Sequence, residues 1–426
     1  MHGDWREGFR RELDRIDIID AHEHIKPEPE RLKLPVDVFS LFDHYSQQDL
    51  ANSGMADEER KALFDPSQPV EARWRRFEPH WRQIRHTSYS QAVLRTIREL
   101  YGFADLDART CTPLSAAMAA NNTPGLYQRL LHDRCRIRTV LTQCDMALLP
   151  EPGDRLLRKL ESLHFLHHGA LTYADFAEPK PALARYFPRS TNSIDEYLDS
   201  LTQAYRQMRA DGLVGVKTRS CPAPSPGAIP DRQEAERLFR QLEQDRTLRL
   251  PARNALRYYL QDAALGLAAA EGFVIAVHTG YWGDFRELSP SHLLPLLDRH
   301  PEARFDVYHA GYPEVREALM LGKGHANVWL NFCWTHIISS RFAVAALDEA
   351  VDLVPANKIL AFGGDYNTPA MDTIFGHLEM AKDDVAEVLC RRIAAGQFDA
   401  EEGLRLARLW FHDNAATLYG LTETKR

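Results

Sequence analysis

The 426-residue sequence predicts an α/β fold, a (β/α)8 TIM barrel with a helical insertion after the first strand and a helical C-terminal tail. Three observations lead there. Short apolar, β-branched runs alternate with helical stretches, the pattern of parallel βαβ units. The runs are apolar throughout, as suits strands covered on both faces. The turn after the first run reads DAHEHI (Asp20–Ile25) and holds no glycine, where an open dinucleotide-binding sheet would place a glycine-rich phosphate turn.

The first strand is read at Ile16–Asp20. From about Pro27 to Arg134 the chain reads as helical with polar turns, an insertion within a single domain spanning residues 1–426. In EARWRRFEPHWRQI, Trp74, Phe77, Trp81 and Ile84 recur at steps of three or four and mark one helix face. SYSQAVLRTIRELYG continues with Val93, Leu94, Ile97, Leu100 and Tyr101, and Gly102 is placed to end it. A second strand is expected at Cys135–Asp145 and a third around His164–Phe176. SIDEYLDSLTQAYRQMRADG is a helix with Ser193 as N-cap, Glu196 three residues on, and Gly212 at its end. Strands then follow at Leu213–Thr218, Phe273–Gly280, Ala303–Gly311, Ala326–Trp334 and Lys358–Asp365, each after a helix.

Composition narrows the function. The chain is 44% hydrophobic and 26% charged with a net charge of −8, and its basic residues are interspersed with acidic ones. That predicts an ordinary soluble globular protein with no nucleic-acid surface. The N-terminal MHGDWREGFRRELDRI has no apolar core of a secretory signal, and no run reaches membrane-span length. The six cysteines (Cys111, Cys135, Cys144, Cys221, Cys333, Cys390) are scattered without a CxxC pair, so reduced thiols and a cytoplasmic setting are expected.

The polar residues that could do chemistry fall in register. His22 and His24 end the first strand on one face, because side chains alternate with a period of two. Lys217 ends the fourth strand, His278 the fifth, His309 the sixth and Asp365 the eighth. In a barrel these converge on one mouth. Imidazoles with a carboxylate suit a divalent ion, zinc first, with manganese or iron as alternatives. Asp365 is placed to be ligand, base or both, and His309 to polarise a substrate or hold a second ion. Glu23 points to the opposite face from His22 and His24.

The segments DAHEH, GVK, AVHTG, VYHAGYP and FGGD, in that order at strand ends, resemble the amidohydrolase superfamily from Ile16 to Asp365. The resemblance implies a metal-dependent barrel that activates water, with His22, His24, His278 and Asp365 as ligands. The stretch from His278 to Pro313 and the tail WFHDNAATLYGL look like the branch of decarboxylases, lactonases and uronate isomerases, and the insertion looks like the uronate isomerase type. GGDYNTP departs from the serine- and arginine-rich stretch associated with those isomerases.

In two-metal members a lysine at the place of Lys217 becomes a carbamate bridge. One ion is favoured here, with two if Lys217 is carbamylated; otherwise Lys217 meets a substrate carboxylate. Arg219, two residues on, is placed to clamp an anionic group. Trp334 and His336 are expected to wall the pocket, with Trp282 and Asp284 in the loop after His278. His164, His167 and His168 match no ligand position. The expected function is a metal-dependent hydrolase of a small polar amide, lactone or ester. The alternatives are a uronate-isomerase-like sugar acid isomerase and a decarboxylase of an unsaturated or aromatic acid. The partner is a small molecule, with no membrane, and a homo-oligomer is compatible with a barrel of this size.

Overall fold

A computed structural model describes residues 4–145, 148–151, 154–164, 166, 169–177, 185–187, 190–220, 222–225 and 227–421. Cys221, His167 and His168 lie outside them. Eight parallel strands pair in sequence order: β1 (Ile18–Glu23), β2 (Ile137–Thr142), β3 (Leu157–Ser162), β4 (Gly215–Arg219), β5 (Val274–His278), β6 (Arg304–Tyr308), β7 (Val328–Asn331) and β8 (Ile359–Leu360). The sheet curls until the chain after β8 meets β1, where the Ala21 amide donates to the Phe362 carbonyl at 3.0 Å. Helices fill the connections and the expected barrel is the observed one, nearly closed.

Two strands differ from expectation. β3 precedes the segment proposed for it: LRKLES carries three charges in six residues and lacks an apolar signature. Lys159 and Glu161 are nevertheless buried together, their charged atoms 3.3 Å apart. Lys159 Nζ also donates to the carbonyls of Asp145 and Leu148 at 3.0 Å each. Of the proposed segment, Leu171 makes an isolated bridge to Leu250 and Ala174–Ala177 is a helical turn. β8 is only two residues long, because the chain leaves the sheet at once to approach β1.

The insertion has an apolar cluster of its own, in which Trp74, Phe77, Trp81 and Ile84 are all buried as their spacing predicted. It is joined to the barrel wall by a buried ion pair, Arg31 to Asp372 at 2.6 Å, with the Tyr101 hydroxyl donating to the same carboxylate at 2.8 Å. Among the described residues, no helix is long and apolar enough to cross a membrane.

The tail closes the barrel floor. Leu418 and Tyr419 pack with Ile19, Leu141, Leu160, Val274 and Leu360. The Tyr419 hydroxyl donates to Asp306 Oδ2 at 2.6 Å, and Asn331 Nδ2 donates to the same oxygen at 3.1 Å. Burial pushes the Asp306 carboxyl up to about 7, against the pull of those two donors. A carboxyl raised on folding stabilises the protonated state: its contribution is full below about pH 4 and is lost as the pH rises through 7. Asp306→Asn keeps the acceptor oxygen and cannot ionise. Its free energy of unfolding should therefore fall less than the wild type's between pH 5 and 8, by on the order of 2 kcal/mol. Parallel pH profiles for the two proteins would remove Asp306 as the source.

Candidate metal centre and active site

The first two ligand candidates are set by how β1 meets the chain after β8. Asp365 donates its backbone amide to the His22 carbonyl at 2.8 Å, and the His24 amide donates to the Tyr366 carbonyl at 3.0 Å. This close approach explains FGGD. A Cβ on Gly363 would lie 2.8 Å from the His22 nitrogen, and one on Gly364 would lie 1.9 Å from Glu23 Oε1. Beneath the ligands, Asp20 and Glu23 are fully buried and accept from the Gly364 and Tyr366 amides at 3.1 and 2.6 Å. Glu23 thus points away from the two histidines, as alternation required. Asp365, His309 and Trp334 have φ of 61°, 66° and 63°, a left-handed backbone that costs these residues energy and is held by their surroundings.

The side chains converge on Asp365. His22 Nε2 lies 3.0 Å and His24 Nε2 3.3 Å from Asp365 Oδ1, and His309 Nε2 lies 3.9 Å from Oδ2. One ligand atom from each of His22, His309 and Asp365 falls within 4.8 Å of the others, and all three residues are buried. His278 stands one ring further out, its Nδ1 3.0 Å from His309 Nε2. His309 therefore completes the tight cluster, in the position sequence reasoning had given to His278.

The protonation pattern suits a cation. Burial alone would raise the Asp365 carboxyl, but the imidazoles of His22, His24 and His309 gathered around it hold it well below the usual carboxylate range. Burial, reinforced by Lys217, pushes the His22 imidazole well down. Burial likewise brings His309 down to about 4, and burial with His309 lowers His278. The result is an ionised carboxylate among neutral imidazoles that have lone pairs to give.

Backbone carbonyls select which nitrogen carries that lone pair. His24 Nδ1 donates to the Gln143 carbonyl at 2.8 Å and His309 Nδ1 to the Cys333 carbonyl at 3.1 Å, leaving Nε2 bare in both. Imidazoles that hold metals are oriented by this kind of contact. His278 Nδ1 lies 3.0 Å from His309 Nε2, a hydrogen bond that an ion on His309 would displace, and the buried His278 Nε2 has no partner among the described residues. The donor set fits a divalent ion at His22, His24, His309 and Asp365.

A cavity of about 280 Å³ opens on this cluster, bordered by Lys217, Arg219 and Trp282. Lys217 Nζ lies 3.2 Å from His22 Nε2 and 4.0 Å from the centre of the Tyr308 ring, and burial lowers it to about 8. Arg219 is level with His278 across the β4–β5 pair and faces the pocket. Trp334 sits behind His309, its ring 5.2 Å away, and stacks on Tyr45 at 4.8 Å. His336 does not wall the pocket. It is buried with Nδ1 on Asp384 and Nε2 on the Ala361 carbonyl, both at 2.8 Å. Helix starts at Thr335, and that turn carries His336 away from the mouth.

Five lining residues escaped the sequence reading, Ser162 and Thr218 among them. Gln143 directly follows β2 and was open to the same strand-end logic as His278. His44 and Tyr45 come from the insertion and had no periodic signal. Burial lowers His44 to about 4.

Comparison with known proteins agrees with the fold. The amidohydrolase family model matches residues 185–421. Protein fluG of Emericella nidulans is 27% identical over 153 residues, which is 35% of this chain and 18% of fluG. The chain thus spans less than a fifth of that relative's length. Glucuronate isomerase from Caulobacter crescentus has a similar structure, with a TM-score of 0.76 at 18% identity over 99% of this chain and 96% of that one. Uronate isomerase from Thermotoga maritima gives 0.76 at 12% identity over 97% of each chain.

Proposed function

We propose, from the premise that this chain belongs to the amidohydrolase family, that it is a metal-dependent hydrolase of a small, anionic amide, lactone or ester. One observation carries the reading: a buried Asp365 carboxylate shared by His22 and His24 opens directly onto a pocket with basic residues at its rim. Zinc is the ion this imidazole-rich set favours, held by His22, His24, His309 and Asp365. Such an ion supplies a Lewis acid that acidifies water and polarises a carbonyl.

The chain's own residues do the rest. Asp365 Oδ1 faces His22 and His24, while Oδ2 is turned toward His309 and is the oxygen placed to take the proton of the attacking water. Lys217 and Arg219 hold the substrate's anionic group against the pocket wall. The Cys333 carbonyl keeps His309 in one tautomer and orientation, with Nε2 toward Asp365.

A second reading, isomerisation of a sugar acid, is favoured by the insertion. His44 and Tyr45 bring a second imidazole and a phenol to the pocket, and the similar structures named as isomerases match over nearly the whole chain. The two readings part in labelled water. We expect metal-loaded protein in H₂¹⁸O to place ¹⁸O in the product of a sugar lactone or N-acyl amino acid. Chelation should abolish this, and zinc should restore it. Deuterium on carbon in D₂O without ¹⁸O incorporation would replace hydrolysis by isomerisation.

A further inference from the structure

The pocket does not end at Arg219. A second cavity of about 420 Å³ lies beyond it and shares Thr218, Arg219 and Trp282 with the first. Its far wall is the start of the helix Ala255–Ala270, with Arg253, Arg257 and Gln261 on the lining. A helix of this length has a positive N-terminal end that favours anions, and here two arginines flank that end.

The charges in this compartment are not balanced internally. Asp284 is engaged by Arg286, at 2.7 Å, and Glu287 by Arg253, at 2.8 Å. Arg257 is buried, with Nη2 on the Gly169 carbonyl at 2.8 Å. The Arg219 guanidinium, on the solvent-exposed partition between the cavities, has no carboxylate or carbonyl partner among the described residues. Trp282, 49% exposed, offers an apolar face to both cavities. A cation kept without a counter-ion at the junction of two cavities invites an anion from outside.

We propose that this second compartment binds a second anionic group, a phosphate or a carboxylate, at the far end of the substrate. The substrate is then a two-ended anion, long enough to pass Arg219. The inference rests on the hydrolase reading only for where the reacting bond lies; the compartment itself is independent of the chemistry. Glu287 is the competing anion: it holds Arg253 until the substrate's tail takes that place.

Titration calorimetry of the metal-loaded full chain with inorganic phosphate, and separately with acetate, tests this. Phosphate should bind saturably. Arg253→Gln should raise its Kd about tenfold, and Glu287→Gln should lower it by about threefold, since the internal competitor is gone. Both side chains are about half exposed, so both variants should fold, and a gain in affinity cannot come from misfolding. Phosphate much tighter than acetate identifies a phosphorylated tail; equal affinities identify a dicarboxylate. No saturable binding, or a Kd unmoved in both variants, would overturn the proposal, because phosphate on the metal or elsewhere ignores residues 253 and 287. A protein that hydrolyses nothing still answers this titration, so the two readings fail separately.

Discussion

Asp365→Asn should give a folded protein whose turnover is lower by about 10³-fold or more. Folding is expected to survive because asparagine tolerates the left-handed backbone that Asp365 adopts, at φ 61°. The side-chain amide also keeps an oxygen facing His22 and His24. Function should not survive, because two roles fall on one group. Asp365 brings the negative charge to a cluster otherwise made of neutral imidazoles, so the ion is held less tightly. It also has the only oxygen of that cluster, Oδ2, turned away from His22 and His24 and able to accept a proton. Circular dichroism, metal content and turnover measured on one preparation separate these roles. Wild-type ellipticity with lowered metal content and turnover is expected. Turnover within tenfold of wild type, with metal retained, would remove Asp365 from the chemistry.

The barrel and most of its mouth could be read from the sequence because each polar residue follows an apolar run directly. His22, Lys217, His278, His309 and Asp365 announce themselves in that way, and all stand at the pocket or one ring behind it. β3 stayed hidden because its polar side chains are buried as a pair: Lys159 and Glu161 satisfy each other, so the local sequence looks exposed. The ordering of His278 and His309 around Asp365 was also out of reach. It depends on a left-handed turn at His309, which no spacing encodes. His336 misled for a similar reason, since the left-handed Trp334 starts a new helical turn that redirects the next side chains. His44 and Tyr45 lie more than 300 residues from Asp365, and only the packing of the insertion brings them to it.

Lys217→Met should bind its ion at least as tightly as the wild type does, while kcat/KM falls by about 100-fold. Lys217 Nζ lies 3.2 Å from His22 Nε2 and is drawn toward the Asp365 charge. A positive head group there competes with a divalent cation for the same electrons, so removing it relieves repulsion. Methionine matches the length of the stem and can pack on Tyr308, which limits the loss of stability. The loss follows from losing a cation that faces the substrate's anionic group, and it should appear mainly as a raised KM. A bridging carbamate on Lys217 predicts the reverse for the metal: two ions per chain in wild type grown with bicarbonate, and one or none in Lys217→Met. Elemental analysis of the two proteins, purified side by side without chelator, decides between a lysine that serves the substrate and one that builds the metal site.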